Sequence, residues 1–156
     1  MASPQLAQPF PNFEIDVLSV KQAKANGPLF VVVWQTDCPT CRLTMPFIER
    51  MSTRYKAATI VGIAQCDDAE LKEFVKETGL TMLNYADPHL KISEFLGVAS
   101  VPTYWLVGRD GKVSHIGQGW DRAKLEAIAE ALARQSNVAY APLITAQDNA
   151  PAFKPG

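Results

Sequence analysis

The chain has 156 residues, 47% of them hydrophobic and 20% charged, with a formal net charge of −1. That length suits one globular domain, which can bury roughly 68–70% of its unfolded surface without a disulfide or metal staple. With 15 basic against 16 acidic side chains and no block of like charges, the composition argues against a nucleic-acid partner, and the longest apolar run, Leu29–Trp34, is too short for a transmembrane segment.

Residues 1–12, rich in Pro and Gln, are expected as an extended lead-in to a domain over residues 13–136. They carry neither the basic start nor the apolar stretch of a leader, so the expected compartment is cytoplasmic if Met1 is the native start and extracytoplasmic if a leader was trimmed. Ser19 can cap a short helix that ends at Gly27-Pro28. Leu29–Trp34 is continuously apolar and β-branched, the pattern of a strand buried on both faces. A helix then starts at Pro39, which fits a first turn, with Leu43, Phe47, Ile48 and Met51 at helical spacing and a kink expected at Pro46. Thr59–Ala64 reads as a second buried strand. Asp67 or Asp68 caps a helix over residues 69–78, which Gly79 stops. A weaker strand over residues 80–85 leads to Asp87-Pro88 and a short helix carrying Leu90, Ile92, Phe95 and Leu96, with Gly97 as its C-cap. Val101-Pro102 introduces a strand at Thr103–Val107, a turn at residues 109–112 and a strand at residues 113–116. An amphipathic helix over residues 121–135 closes the periodic part, and residues 137–156 are expected as an extended, Pro-containing tail. Alternating strands and helices of this kind imply an α/β fold with a mixed sheet.

Three cysteines cannot all pair within one chain, and the Cys38-x-x-Cys41 spacing has two common uses, a reversible dithiol or half of a metal site. For metal binding, Cys66 with His89 or His115 would have to complete the set, yet no second Cys-x-x-Cys or His-x-His accompanies the pair. No metal and no organic cofactor are expected. Buried strand, then Cys-Pro-Thr-Cys, then helix is the arrangement that dithiol chemistry requires. The first cysteine meets the backbone N–H groups at the positive end of the helix, and the second lies one turn in. A helix terminus contributes about 0.3–2 kcal/mol and one pKa unit corresponds to about 1.36 kcal/mol, so the terminus alone lowers a thiol pKa by at most ~1.5. Cys38 is thus the expected nucleophile and Cys41 the resolving thiol. Cys66, just past a buried strand, reads as a small core residue.

The segment Trp34-Gln-Thr-Asp-Cys-Pro-Thr-Cys41, Pro46 five residues after the second cysteine, and Val101-Pro102-Thr103 before a strand together resemble the thioredoxin superfamily. The resemblance covers roughly residues 13–132. It implies a thioredoxin-like α/β fold, with a central mixed sheet flanked by helices. The extra strand and helix between residues 80 and 97, inserted before the proline strand, resemble the TlpA-type thiol-disulfide oxidoreductases and the redoxins. By this resemblance Val101-Pro102 is a cis peptide facing the dithiol, and Trp34, Pro39, Thr40, Val101 and Pro102 are the substrate-binding residues. Protein or small-molecule thiols and disulfides are the implied substrates, with an unidentified electron donor. The chain departs from the pattern at Val32, where thioredoxin has a buried acid, and at Thr44, where some TlpA-type proteins carry a glutamate. Asp37 replaces the usual aromatic residue, and a carboxylate beside a thiol opposes its ionisation, which makes Asp37 a pKa-modulating residue. A peroxiredoxin-like peroxidase is one alternative, although Val31 and Gln35 stand where its motif needs Pro and Thr or Ser. A non-catalytic binding module using the groove beside Pro102 is the other.

Overall fold

A computed structural model describes residues 3–156, so the first two residues of the expected lead-in lie outside the described residues. In chain order a small ribbon, β1 (Glu14–Ile15) and β2 (Leu18–Ser19), leads into helix α1 (Val20–Asn26) and strand β3 (Leu29–Trp34). Helix α2 (Pro39–Arg54), β4 (Thr59–Ala64), α3 (Asp68–Thr78), β5 (Leu83–Ala86) and α4 (Lys91–Phe95) follow. The chain continues through β6 (Thr103–Val107), β7 (Val113–Gln118), β8 (Trp120–Asp121), α5 (Arg122–Gln135), a 3-10 turn at Ala146–Asp148 and β9 (Phe153–Lys154).

The continuous apolar run of the sequence becomes the central strand. Sheet order is β5-β4-β3-β6-β7, with β3, β4 and β5 mutually parallel and β6 and β7 antiparallel to their neighbours. Successive side chains of a strand point to opposite faces. Phe30, Val32 and Trp34 therefore join Tyr104 and Leu106 beneath α2 and α5, while Leu29, Val31 and Val33 join Trp105 and Val107 beneath α1 and α4. Helices on both faces of a mixed sheet, with β5 and α4 inserted ahead of β6, make the thioredoxin-like α/β architecture.

Gly62 in the buried strand β4 has a steric reason. A Cβ there would fall 1.9 Å from Asn84 Oδ1 and 2.7 Å from Trp34 Nε1, the two atoms that meet over it in a 2.9 Å hydrogen bond.

The strand expected over residues 80–85 begins only at Leu83. The amides of Thr81 and Met82 donate instead to the Glu49 carboxylate of α2, at 3.0 and 2.9 Å, and are withdrawn from the ladder. Leu90, expected on the apolar face of the next helix, is its exposed N-cap with φ of +57°. The buried Asp87 carboxylate caps that helix by accepting the amides of Ile92 and Ser93. Helix α2 runs continuously through Pro46, whose ring is exposed.

Residues 137–156 form no long element, yet they lie ordered along α2 and α5. Leu143 and Ile144 are buried in the same core as those helices. Arg50 of α2 donates to the Leu143 carbonyl and holds Asp148 through two nitrogens at 2.9 and 2.7 Å, and Glu126 of α5 accepts the Ile144 amide at 2.7 Å. The segment ends as β9, antiparallel to β8.

Candidate active site

Strand β3 ends at Trp34, the chain turns through Gln35, Thr36 and Asp37, and α2 starts. Cys38 is the N-cap of α2, extended at φ −91° and ψ 115°, and its sulfur accepts the Cys41 amide at 3.1 Å. A thiol thus occupies the position where Ser or Asp oxygens usually satisfy the free N–H groups of a first turn. All three cysteines are free thiols; Cys38 is half-buried, whereas Cys41 and Cys66 are buried. On its other side the Cys38 sulfur lies 3.8 Å from the Val101 carbonyl oxygen, and Val101-Pro102 is a cis peptide. The loop before β6 and the first turn of α2 therefore face each other across the dithiol.

The two partner thiols share one electrostatic character. Burial first, and then the hydrogen bond with Cys38, push the Cys41 thiol well above its ordinary pKa, while the Gln35 backbone amide works in the opposite direction. Burial, followed by the charges of Glu70, Asp67, Asp68 and Asp37, pushes the Cys66 thiol up to about 11. Asp37 itself is exposed, and its charge is the last of the contributions raising Cys41. Neither departure from the family pattern supplies a base: Val32 is in the core, and the Thr44 hydroxyl donates to the Thr40 carbonyl at 2.7 Å.

The residues expected at the substrate surface divide into two groups. Pro39 is exposed, Val101 is half-buried and the Pro102 ring is buried beside the dithiol. Thr40 is buried, and its hydroxyl donates to the Pro155 carbonyl at 2.8 Å. Trp34 differs from expectation: it is 0% exposed, edge-on to Phe74 and bonded through its indole N–H to Asn84, so no face of it is open to a substrate.

Several neighbours of the site were not singled out from sequence. The Thr36 hydroxyl donates to Glu70 at 2.6 Å, and Arg42 Nε donates to the Thr36 carbonyl at 2.9 Å, fixing the turn that delivers Cys38. Gln35 donates to Gln65, which in turn donates to Ser93. Apart from Arg42 and Thr36, which are 6 residues apart, these partners lie 28 to 34 residues apart in sequence and belong to no motif, so only topology brings them together. Val31 and Gln35, the positions that a peroxidase motif would use, are a core strand residue and this amide partner. The metal set of Cys38, Cys41 and Cys66 with a histidine is not assembled: among the described residues no three His, Cys, Asp or Glu side chains form a group that could hold an ion. Among them, too, no helix is long and apolar enough to cross a membrane.

A half-buried thiol capping a helix, a buried thiol one turn on and a facing Val-Pro loop on this sheet define a thioredoxin-like thiol-disulfide oxidoreductase. The chain belongs to the Redoxin family, whose model matches residues 5–132. Thiol-disulfide oxidoreductase ResA of Bacillus anthracis is 32% identical over 117 residues, covering 70% of this chain and 67% of that protein. Thiol:disulfide interchange protein DsbE of Pseudomonas aeruginosa is 28% identical over 123 residues, 74% of this chain and 67% of its own. Among solved structures, the thioredoxin domain of thiol-disulfide oxidoreductase BVU-2223 from Bacteroides vulgatus superposes with a TM-score of 0.69 at 18% identity, over 83% of this chain and 98% of that one.

Proposed function

We propose that Cys38 attacks and Cys41 resolves in an exchange with disulfides of polypeptides and small molecules, carried by the domain over residues 13–136. The observation that carries this assignment is the asymmetry of burial: Cys38 is the accessible N-cap, and Cys41 is enclosed one turn behind it. In the reducing direction the Cys38 thiolate attacks one sulfur of a substrate disulfide. That S–S bond breaks, and the departing sulfur leaves as a thiolate and takes up a proton. Cys41, having released its proton to solvent, then attacks the Cys38 sulfur and expels the second substrate sulfur. A Cys38–Cys41 disulfide has formed, and the substrate has gained two electrons and two protons. An external dithiol of unidentified nature returns the pair to the reduced state.

In this reading Pro39, Thr40, Val101 and Pro102 form the contact surface, Trp34 supports it from behind, and the Asp37 carboxylate is a minor charge opposing ionisation of the Cys41 and Cys66 thiols. The test is insulin reduction with dithiothreitol as donor. The protein should accelerate it, and Cys38→Ser should abolish the acceleration. An intact protein no faster than dithiothreitol alone would favour a binding module. Peroxide consumption that depends on Cys38 would favour a peroxidase.

A further inference from the structure

The last six residues run over the same surface that the dithiol presents. Trp120 Nε1 donates to the Pro151 carbonyl at 2.6 Å, and the Arg122 amide donates to the Ala152 carbonyl at 3.1 Å. Phe153 and Lys154 pair with Asp121 and Trp120, and the Pro155 carbonyl accepts the Thr40 hydroxyl inside the Cys-x-x-Cys motif. Gly156 then rests on the Val101 carbonyl, so closely that a Cβ on it would fall 2.2 Å from that oxygen. The same oxygen lies 3.8 Å from the Cys38 sulfur. Gly119, at φ +67°, lets the segment pass: a Cβ there would fall 2.7 Å from the Lys154 oxygen and 2.9 Å from the Gly156 nitrogen.

This segment is held mainly by its backbone. All of residues 151–156 are exposed, and Phe153 keeps 61% of its surface in solvent, so little apolar burial fixes them. The fixed partner is underneath: Trp120 is fully buried against Phe47. A main-chain strand on a short edge is the kind of contact that another extended chain can replace bond for bond. It also belongs at the low end of local stability.

We propose that residues 152–156 are a strap seated in the groove of the dithiol, which an extended polypeptide disulfide must displace and a small disulfide need not. The inference rests on the exchange reaction proposed above, and it adds a substrate class to that site. An extended polypeptide that brings its cysteine to Cys38 needs the Val101 carbonyl, the Thr40 hydroxyl and the β8 edge for its own backbone, all of which the strap holds. A small disulfide needs only the half-buried sulfur beside the exposed Asp37 and Pro39. Because the apparent affinity for a substrate scales with the competent fraction, a strap closed about nine-tenths of the time lowers it about tenfold.

The experiment compares the intact chain with one ending at Pro151, which keeps the Trp120 anchor, and with Gly156→Ala, whose methyl group would fall 2.2 Å from the Val101 carbonyl oxygen in the seated strap. Initial rates are measured on insulin, well below saturation, and on glutathione disulfide. Both variants should reduce insulin several-fold faster, up to about tenfold, with the glutathione disulfide rate changed less than about twofold. Unchanged or slower insulin reduction in both variants overturns the strap while leaving the exchange reaction intact. Equal gains on both substrates also overturn it, since the segment would then be screening the thiol and not the groove. Failure of the intact chain to exchange with either substrate removes the exchange reaction, and the strap with it.

Discussion

The Cys38 sulfur accepts the backbone amide of Cys41 at 3.1 Å, so the two cysteines already face each other across the first turn of α2 while they remain thiols. Only one of them is within reach of a reagent. The first expectation is therefore a single fast-reacting thiol. At pH 8 a thiol with a pKa of about 11, as at Cys66, is about 0.1% ionised, and Cys41 is enclosed and shifted the same way. Iodoacetamide labelling of the reduced protein, followed by mass spectrometry, should find Cys38 modified well before the other two. Three comparable rates would remove the assignment of roles.

In the proposed exchange Cys41 performs the second attack, so Cys41→Ser should halt the reaction at the mixed disulfide. Incubation with an oxidised protein substrate should give a covalent adduct on non-reducing electrophoresis, and the parent chain should give none. In the parent, release of the adduct should quicken about tenfold for each pH unit between about pH 6 and 8, since the Cys41 thiol is still largely protonated there and only its thiolate attacks. A release rate that does not change with pH would mean that loss of the Cys41 proton does not limit this step.

The interaction of Trp34 with Asn84 over Gly62 predicts a cost in the core. Gly62→Ala places a methyl group 1.9 Å from Asn84 Oδ1, so the amide must leave and the buried indole N–H loses its acceptor. Overpacking costs about 1–3 kcal/mol, and an unsatisfied buried donor about 1–3 more. Urea unfolding should show a loss of about 2–6 kcal/mol. Asn84→Ala alone also orphans the indole, but combined with Gly62→Ala it adds less than the two separate losses, because both changes break one bond. Strict additivity in that cycle would mean that Gly62 serves some other contact.

Much of this fold was legible because its central strands are apolar along their whole length. Leu29–Trp34, Thr59–Ala64 and Thr103–Val107 lie within the sheet as their composition implies. The position of the dithiol followed from the strand-to-helix junction around Cys38. What escaped was set by contacts distant in sequence. Nothing near Thr81 announces that Glu49 will take its amide, so the strand of residues 80–85 was expected to start three residues early. The segment around Leu143 and Ile144 shows no helical or strand period, and its docking depends on Arg50 and Glu126. Trp34 is different, since the signal was available. A strand buried on both faces leaves its last residue inside as well, with Phe30 and Val32.

The last expectation concerns alkali. Cys41 and Cys66 both ionise at higher pH in the folded chain than in the unfolded one, where a thiol has a pKa of about 8.5. Below that value both states hold their protons and these thiols give stability no pH dependence. Above it the unfolded chain loses protons first, the folded chain retains them, and stability falls until the folded-state pKa is passed. The limiting slope is about 1.4 kcal/mol per pH unit for each such thiol. A Cys38→Ser background removes both the disulfide and the ionisation of the nucleophile, and leaves burial as the main influence on Cys41. Urea midpoints of Cys38→Ser, measured between pH 8 and 10.5, should therefore fall more steeply than those of the double variant Cys38→Ser/Cys41→Ser. The Cys66 contribution should remain in both. Parallel curves for the two variants would mean that the Cys41 thiol ionises as readily in the folded chain as in the unfolded one, and that its enclosure by α2 does not restrain the second step of the exchange.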